Sequence, residues 1–240
     1  MTVRAGDSRG VARRPWMAVA RPLGEIAIVT VGILIAFALE AWWDGREKAA
    51  QEQVHLRALA SDLQQNIAAL QMLIEQEESV MSGTQELLKR ARAQQSEDTA
   101  SLEELFNQVF NSARFEPVMG AYEALVNSGG LTLIRDEALR AALAEFAAKV
   151  GGQYIESWSA EHYFAFAREF AGPVLLLQTQ NPAADARERA YEEMLRDRRF
   201  QAHLALRFYS ERDVTSKYRG LLQQAEAVLA QVRTQVRDQD

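Results

Sequence analysis

Cysteine is absent from this chain of 240 residues. Its absence excludes disulfide bonds, thiolate metal sites and cysteine nucleophiles together. Proline and glycine are also scarce, at 5 and 13 residues. Alanine, leucine, glutamate, glutamine and arginine recur instead, and these residues lose least on entering a helix. Because no run alternates with the period of two that a half-buried strand needs, the sequence predicts an all-α protein.

Positive charge exceeds negative charge at the amino end, although the chain as a whole is acidic. The formal net charge of the chain is −6, yet residues 1–24 carry five arginines against one acidic residue, Asp7. A protein that binds nucleic acid needs its positive charge on the folded domain, so we expect no nucleic-acid partner. An arginine-rich end beside an apolar segment is typical of a membrane protein whose amino terminus stays in the cytoplasm.

A long apolar run follows this basic end. Residues 26–39 include no charge over 14 positions, and as a helix they would cover about 21 Å of a hydrocarbon layer about 30 Å thick. The run reaches 18 residues at Trp43, and tryptophan prefers the headgroup level. The sequence therefore predicts a basic cytoplasmic tail at residues 1–24, a transmembrane helix at residues 25–43 that runs into a long helix, and an extracytoplasmic helical bundle at residues 44–240.

Two alternatives to this anchor stay open. A cleavable export signal also has a basic start, an apolar stretch and a small-x-small triplet, here Ala36-Phe37-Ala38. However, the helical pattern continues into the body with no turn-forming cleavage region. The other alternative is a buried helix of a soluble core, which rarely combines so apolar a run with one-sided arginines and tandem tryptophans.

Four residues of the span are candidates for membrane contacts. Gly32 and Ala36 form a small-xxx-small pair, which lets two membrane helices approach closely. An ordinary span that happens to include a glycine and an alanine explains the pair equally well. Trp42 and Trp43 are the expected interfacial anchors. We expect the lipid bilayer to be one partner, and a second copy or another envelope protein to be another.

The body is expected to fold as long helices with apolar stripes. Leucines and isoleucines recur at spacings of three and four from Leu56 onward, and a similar stripe runs from Phe200 to Val232. Because single helices are marginal in water, these helices and the short ones between them should form an antiparallel bundle. Coiled-coil pairing with a second copy is a further hypothesis, although Glu77 and Thr84 interrupt the heptad seam.

Local signals place several helix boundaries. Residues 101–104 form a capping box, and Pro117 suits the first turn of a helix. Glycines at residues 129–130 predict a helix end. Asp136 is suited to cap the next helix, and Gly172-Pro173 is expected to close a helix.

Three stretches of the chain resemble one known family. They are Gly24-Glu25-Ile26 with residues 32–36 and Trp43, the stretch HLRALASDLQQNIAAL at residues 55–70, and AYEALVNSGGLTLIRDEALRAAL at residues 121–143. They resemble a family of uncharacterised bacterial single-pass membrane proteins, classed as a domain of unknown function. The resemblance implies an anchored helical protein of the bacterial cytoplasmic membrane. It implies no activity, because none of the motifs is catalytic.

Motifs for catalysis or cofactor binding are few. The chain has three histidines, and Glu52-x-x-His55 has the spacing found in di-iron bundles. Such a centre needs a second pair and two more glutamates, and no second pair exists. There is no Gly-x-Ser-x-Gly elbow and no glycine-rich phosphate loop. We therefore expect no metal, no cofactor and no enzymatic activity.

The sharpest candidate site is the aromatic stretch at residues 154–178, YIESWSAEHYFAFAREFAGPVLLLQ. Several of its aromatic residues share one helical face, and packing into a core explains such a stripe most simply. The alternative is a pocket or partner groove for a small apolar or peptide ligand. Its lining would be Trp158, Glu161, His162, Phe166 and Arg168.

Two functions fit these observations. The first is a membrane-anchored, non-enzymatic scaffold or accessory subunit whose bundle binds another protein. The second is a ligand-sensing helical module of the cell envelope. Only 24 residues precede the predicted span, so we expect no cytoplasmic output domain, which favours the first function. An envelope hydrolase would require a nucleophile and a base that cluster in the fold.

Overall fold

A computed structural model describes residues 17–93, 99–151 and 157–236, without the side chains of residues 17–28, 99, 157 and 158. All regular structure in these residues is helical, which confirms the predicted all-α class. The chain divides into two compact units, Met1–Gln51 and Glu52–Asp240. The α-helices are α1 (Met17–Ala93), α2 (Thr99–Val109), α3 (Gly120–Asn127), α4 (Glu137–Gly151), α5 (Ser157–Phe166), α6 (Gly172–Gln180), α7 (Ala184–Arg196) and α8 (Arg198–Gln235), with a 3₁₀ turn at Gly130–Leu133 and a π turn at Ala167–Ala171.

The first unit includes the amino-terminal part of α1. Most of the predicted basic tail lies outside the described residues, and the predicted transmembrane helix has its residues 25–28 outside the described side chains. Within the part that is described, no helix combines the length and the apolar character needed to cross a bilayer. The transmembrane helix at residues 25–43 therefore stays a prediction.

In the second unit, α1 and α8 each bury a stripe with a heptad spacing. Spacings of three and four alternate without interruption along both helices. This repeat is the pattern of helices that pack at a shallow angle along a common seam. Glu77 and Thr84, which were expected to interrupt the seam, are buried members of it. The stripe residues are Leu56, Leu59, Leu63, Asn66, Leu70, Leu73, Glu77, Val80, Thr84 and Leu87 on α1, and Leu204, Arg207, Glu211, Val214, Tyr218, Leu221, Ala225, Val228 and Val232 on α8.

Two apolar clusters fill the second unit. The first joins α1, α3, α4 and the carboxyl-terminal part of α8, with Phe146 and Tyr218 among its largest residues. The second joins the end of α1 with α2, α6, α7 and the start of α8, and includes Phe106, Phe166 and Phe200. The stripes of α1 and α8 are thus buried within one chain. Pairing with a second copy stays a prediction.

The helix boundaries confirm some local signals and correct others. The capping box predicted at residues 101–104 is wrong, because α2 begins at Thr99 and Ser101 lies inside it. Asp136 caps α4, because its Oδ1 accepts a hydrogen bond from the Leu139 N–H at 3.1 Å. Pro117 does not begin a helix, and α3 begins only at Gly120. The reason is Asn66, whose side chain binds both the N–H and the carbonyl of Val118 at 2.7 and 2.8 Å. The side chain of Asn66 thus supplies both backbone groups of Val118 with partners outside a helix.

Gly172-Pro173 does not end the helical run that includes α5. The chain passes through the π turn Ala167–Ala171 directly into α6, where Pro173 occupies the first turn. Proline lacks the N–H that would continue the helical hydrogen-bond ladder, and it lies just after the π turn, where the helix already departs from the regular i−4 hydrogen-bond pattern. The run ends instead at Asn181, which has a left-handed φ of 43°.

Candidate functional site

The four residues expected at the membrane lie on α1 in the first unit. A Cβ added at Gly32 would meet nothing within 4 Å, and Ala36 is exposed. Trp42 and Trp43 are 56% and 64% exposed, and their ring centroids are 6.4 Å apart. All four positions are therefore exposed on the surface of α1.

The five residues of the predicted aromatic pocket do not share one environment. The side chain of Trp158 lies outside the described side chains. Glu161 and Arg168 are exposed and His162 is half-buried, whereas Phe166 is 1% exposed. Phe166 is thus a core residue. The pocket itself stays a prediction.

Phe166 lies in a group of aromatic rings within the second apolar cluster. Its centroid is 4.7 Å from that of Phe110 in a stacked arrangement, 5.7 Å from Phe200 and 5.8 Å from His203. Aromatic pairs at these distances add about 0.5–1.5 kcal/mol each to the stabilisation from burial. The π turn that follows also directs Phe170 to Phe200, at 5.1 Å. π turns often mark functional sites, but this one completes a core.

A buried polar network lies on the seam side of α8. Arg207 Nη1 lies 2.6 Å from Glu211 Oε1, and both side chains are 3% exposed. Ser159 of α5 donates its hydroxyl to the same carboxylate oxygen at 2.8 Å. Burial of an ion costs several kcal/mol unless it is paired and hydrogen-bonded. The direct contacts among these three side chains offset that cost.

Arg207 has further contacts that fasten a loop. Its Nη2 donates to the Asn111 carbonyl at 2.6 Å, and its guanidinium carbon lies 4.7 Å from the centroid of the Tyr163 ring. Tyr163 in turn donates its hydroxyl to the Phe110 carbonyl at 3.0 Å. Both carbonyls belong to the chain just after α2. Arg207 therefore connects α8 with α5 and with this loop.

A small cavity lies beside the network. Glu77, which is 2% exposed, lines it together with Ser159, Tyr163 and Glu211, and its volume is about 150 Å³. Pockets for drug-sized ligands measure about 300–1,000 Å³, whereas one water molecule takes about 30 Å³ of the liquid. The cavity is therefore too small for a typical metabolite.

The contacts of the network suit a structural role better than a reaction. A serine nucleophile needs a neighbouring base that can take its proton, but Glu211 is already paired with Arg207. Among the described residues, no group of three or more His, Asp or Glu side chains could hold a metal ion. Glu52, from the Glu-x-x-His pair, accepts a hydrogen bond from the backbone N–H of Arg135 at 2.8 Å.

Sequence reasoning noticed Glu77, which lines the neighbouring cavity, but missed the network itself. Arg207 and Glu211 occupy two consecutive positions of the buried α8 stripe, where a heptad pattern predicts apolar residues. Opposite charges four residues apart on such a stripe could have indicated a buried ion pair. Ser159 offers no comparable signal, because it is 52 residues from Glu211 in the sequence.

A protein-family comparison covers the first part of this arrangement. Residues 25–161 match the model of DUF6090, a family of unknown function. The chain belongs to this family. The DUF6090 match includes α1 from Glu25 onward and Ser159, but it ends before α8, so Arg207 and Glu211 lie outside it.

The match confirms the predicted membership of a family of unknown function. The membrane character and bacterial origin that the resemblance implied stay predictions. Neither a curated protein nor a solved structure matches the chain.

Proposed function

We propose that this DUF6090 protein is a membrane-anchored, non-enzymatic module whose helical bundle binds another protein. The observation that carries the proposal is the apolar surface of α1 in the first unit. Large apolar side chains there are between 51% and 64% exposed. They are Val29, Val31, Ile33, Leu34, Ile35, Phe37, Leu39, Trp42 and Trp43.

The distribution of these side chains favours lipid as their covering. Successive residues of a helix point about 100° apart, and Ile33, Leu34 and Ile35 are each more than half exposed. A protein partner that packs on one face would leave the others in water. Hydrocarbon surrounds a helix on every side, which is why helices that are apolar all round are found in membranes or in large cores.

The two ends of the apolar run support the same assignment. Trp42 and Trp43 follow it, and the Arg46 guanidinium lies 5.7 Å from the Trp42 ring centroid. A cation beside an indole suits the boundary between headgroups and water. On the other side, residues 1–24 carry five arginines. The positive-inside rule then orients the amino end toward the cytoplasm and the bundle away from it, in the cytoplasmic membrane of a bacterium.

Surface composition of the second unit supports a binding role. Phe164, Leu175, Leu176 and Tyr209 are each more than half exposed. Aromatic residues are enriched at protein interfaces relative to other surfaces. The partner is therefore proposed to be a protein, either a second copy or another component of the envelope.

The ligand-sensing alternative has one observation in its favour, the cavity beside Glu211. Its volume of about 150 Å³ restricts a ligand to a few non-hydrogen atoms. A small polar molecule that raises the Tm of the wild-type chain but not of Ser159→Ala would favour this alternative.

Membrane fractionation tests the anchor. The full-length chain expressed in a bacterium should remain in the membrane pellet after an alkaline carbonate wash. The double variant Leu34→Arg/Phe37→Arg should be released, because each arginine at a helix centre costs about 2.5–3.5 kcal/mol of insertion free energy. The matched control is Leu175→Arg/Leu176→Arg on α6, where the native side chains are 57% and 55% exposed. This control should stay in the pellet.

Two results would contradict the anchor. One is a wild-type chain, intact from Met1, in the soluble fraction. The other is equal release of both double variants. The orientation has a separate test. A reporter enzyme that is active only outside the cytoplasm should be active when it is fused after Asp240.

A further inference from the structure

A groove on the surface of the second unit combines apolar side chains with positive charge. It lies between the last turns of α1 and the first half of α8, and its volume is about 500 Å³. Leu88 and Phe208 are half-buried, whereas Tyr209 is 54% exposed. We name this feature the basic groove. Its lining includes Gln85, Leu88, Lys89 and Arg92 of α1 and Phe208 and Tyr209 of α8.

The two walls of the basic groove have the same residue spacing. On α1 the lining falls at positions 85, 88, 89 and 92, and on α8 it falls at 205, 208 and 209. Residues three and four apart lie on one face of a helix, so each wall is one continuous helical ridge. A channel between two such ridges has the shape that accepts a third helix.

Positive charge borders the apolar floor. Lys89 is 77% exposed at its side chain and lies 3.5 Å from Glu86, and Arg92 is exposed. On the other wall, the Arg212 guanidinium lies 4.9 Å from the centroid of the Tyr209 ring. Two cations of the lining, Lys89 and Arg92, and the neighbouring Arg212 contrast with the formal net charge of −6 for the whole chain.

We propose that the basic groove binds an acidic amphipathic helix of a partner protein. The apolar stripe of that helix would cover Leu88, Phe208 and Tyr209, and its flanking carboxylates would face Lys89, Arg92 and Arg212. This mode is the recognition of an amphipathic helix by a groove. The inference rests on the proposed function, in that the bundle binds a protein, and it names the class of partner.

Other occupants fit these features less well. Anionic lipid surfaces attract basic patches on amphipathic helices that lie flat in the interface, whereas here the cations border a concave apolar channel. Nucleic acid is disfavoured because the net charge of the chain is −6, which repels the phosphate backbone outside the groove. An acidic helix satisfies both the shape and the charge.

The extent of the groove sets the expected strength of binding. Seven residues separate Gln85 from Arg92, which is about two helical turns or about 10 Å. Interfaces this small belong to weak and transient complexes. We therefore expect micromolar affinity, with Tyr209 as the main anchor, because tyrosine is enriched among the interface residues that contribute most to binding.

The test uses the full-length chain in a nonionic detergent and two designed peptides of about 18 residues, a length that spans more than the groove. One peptide has a leucine stripe at helical spacing flanked by glutamates, and the other has lysine in place of each glutamate. Fluorescence anisotropy reports binding, with detergent alone as the blank. The groove variant is Lys89→Glu/Arg92→Glu/Arg212→Glu.

The matched control is Lys149→Glu/Arg198→Glu/Arg233→Glu. It makes the same change in charge at exposed positions, and Lys149 has a helical glutamate neighbour at 2.9 Å as Lys89 does. The acidic peptide should bind the wild type and the control equally. It should bind the groove variant about tenfold more weakly, since three exposed ion pairs contribute only modestly each. The lysine peptide should gain affinity for the groove variant, and Tyr209→Ala should weaken the acidic peptide about fivefold or more.

Several results would overturn the groove proposal. Equal loss in the control variant would show that overall charge decides binding. If the acidic peptide does not bind the wild type, an acidic helix is excluded as the partner of the groove. Binding to phosphatidylglycerol nanodiscs, or self-association in sedimentation experiments, would then identify a different occupant. Each outcome is separate from the anchor, because a chain released from membranes can still bind the peptide, and a chain held in membranes can fail to bind it.

Discussion

Arg207 and Glu211 lie one turn apart on α8 and form an ion pair of 2.6 Å that is almost fully buried. The pair occupies the interval between the two apolar clusters. On α8 the second cluster ends at Leu204, and the first begins at Val214. A charged pair within an otherwise apolar seam is a device that can fix the register of neighbouring helices. The packing of the unit thus changes from one core to the other at a polar layer.

Removal of one partner of this pair should destabilise the protein strongly. Arg207→Leu leaves the Glu211 carboxylate buried without its cation, and the expected loss is about 3–5 kcal/mol in the free energy of unfolding. The double variant Arg207→Leu/Glu211→Leu should recover part of that loss, because apolar residues can replace a buried pair at little cost. The recovery should be incomplete, because the Asn111 carbonyl and the Ser159 hydroxyl lose their partners. Urea unfolding of the full-length chain, followed by circular dichroism, measures both. Additive losses in the double variant would contradict the account.

Much of the fold follows from periodicity. The spacing of three and four along α1 and α8 predicts two long helices, and the structure has them. A local capping signal can also be sufficient to predict where a helix begins. Asp136 is an example, because the cap and the Leu139 N–H that it binds are only three residues apart.

Features that depend on distant partners escape sequence reasoning. Val118 is held by Asn66 from 52 residues away, so the proline beside it gave the wrong helix start. Burial of Phe166 depends on Phe200 and His203 of another helix. An aromatic stripe alone therefore does not distinguish a core from a pocket.

Mutations can test whether the aromatic stretch at residues 154–178 is part of a packed core or lines a ligand pocket. Phe166→Ala removes a ring that is 1% exposed, and the expected loss of stability is about 3–5 kcal/mol. Glu161→Ala and Arg168→Ala change exposed side chains and should each shift stability by less than about 0.5 kcal/mol. Thermal or urea unfolding compares the three. A mild effect of Phe166→Ala would favour a pocket over a packed core.

Asn66 should stabilise the loop before α3 through two hydrogen bonds to Val118. Asn66→Ala leaves a partly buried N–H and carbonyl without their partner, and each such group costs about 1–3 kcal/mol. The neighbouring Gln65→Ala is the control, because Gln65 is exposed and hydrogen-bonds only within its own helix. Hydrogen exchange of the Val118 amide should accelerate in the first variant. Unchanged exchange there would show that the loop is held by other contacts.

Two glycines in helices should respond oppositely to alanine. Gly220 lies in α8 with nothing within 4 Å of an added Cβ, so Gly220→Ala should raise stability by about 0.5–1 kcal/mol through helix propensity. At Gly83 of α1 an added Cβ would lie 3.2 Å from Gln108 Cβ on α2. That contact should cancel the propensity gain or exceed it. Equal stabilisation at both sites would show that α2 can shift away from α1.

Asp197 should make the start of α8 sensitive to acid. Its carboxylate accepts a hydrogen bond from the Arg199 N–H at 2.7 Å, and this bond lowers the pKa of Asp197 below its ordinary value. A carboxyl group with a lowered pKa in the folded state stabilises the fold above the unfolded pKa, and the stabilisation is lost as pH falls through the folded value. Asp197→Asn keeps a capping side chain but cannot titrate.

The Tm of the wild type should therefore fall more steeply than that of Asp197→Asn between about pH 5 and pH 3. Asp197→Ala loses the cap as well, so its Tm should be lower than that of Asp197→Asn at every pH, with the same shallow slope. Calorimetry across this range separates the two contributions. If all three proteins had parallel profiles, the acid sensitivity would have to come from carboxyl groups other than the α8 cap.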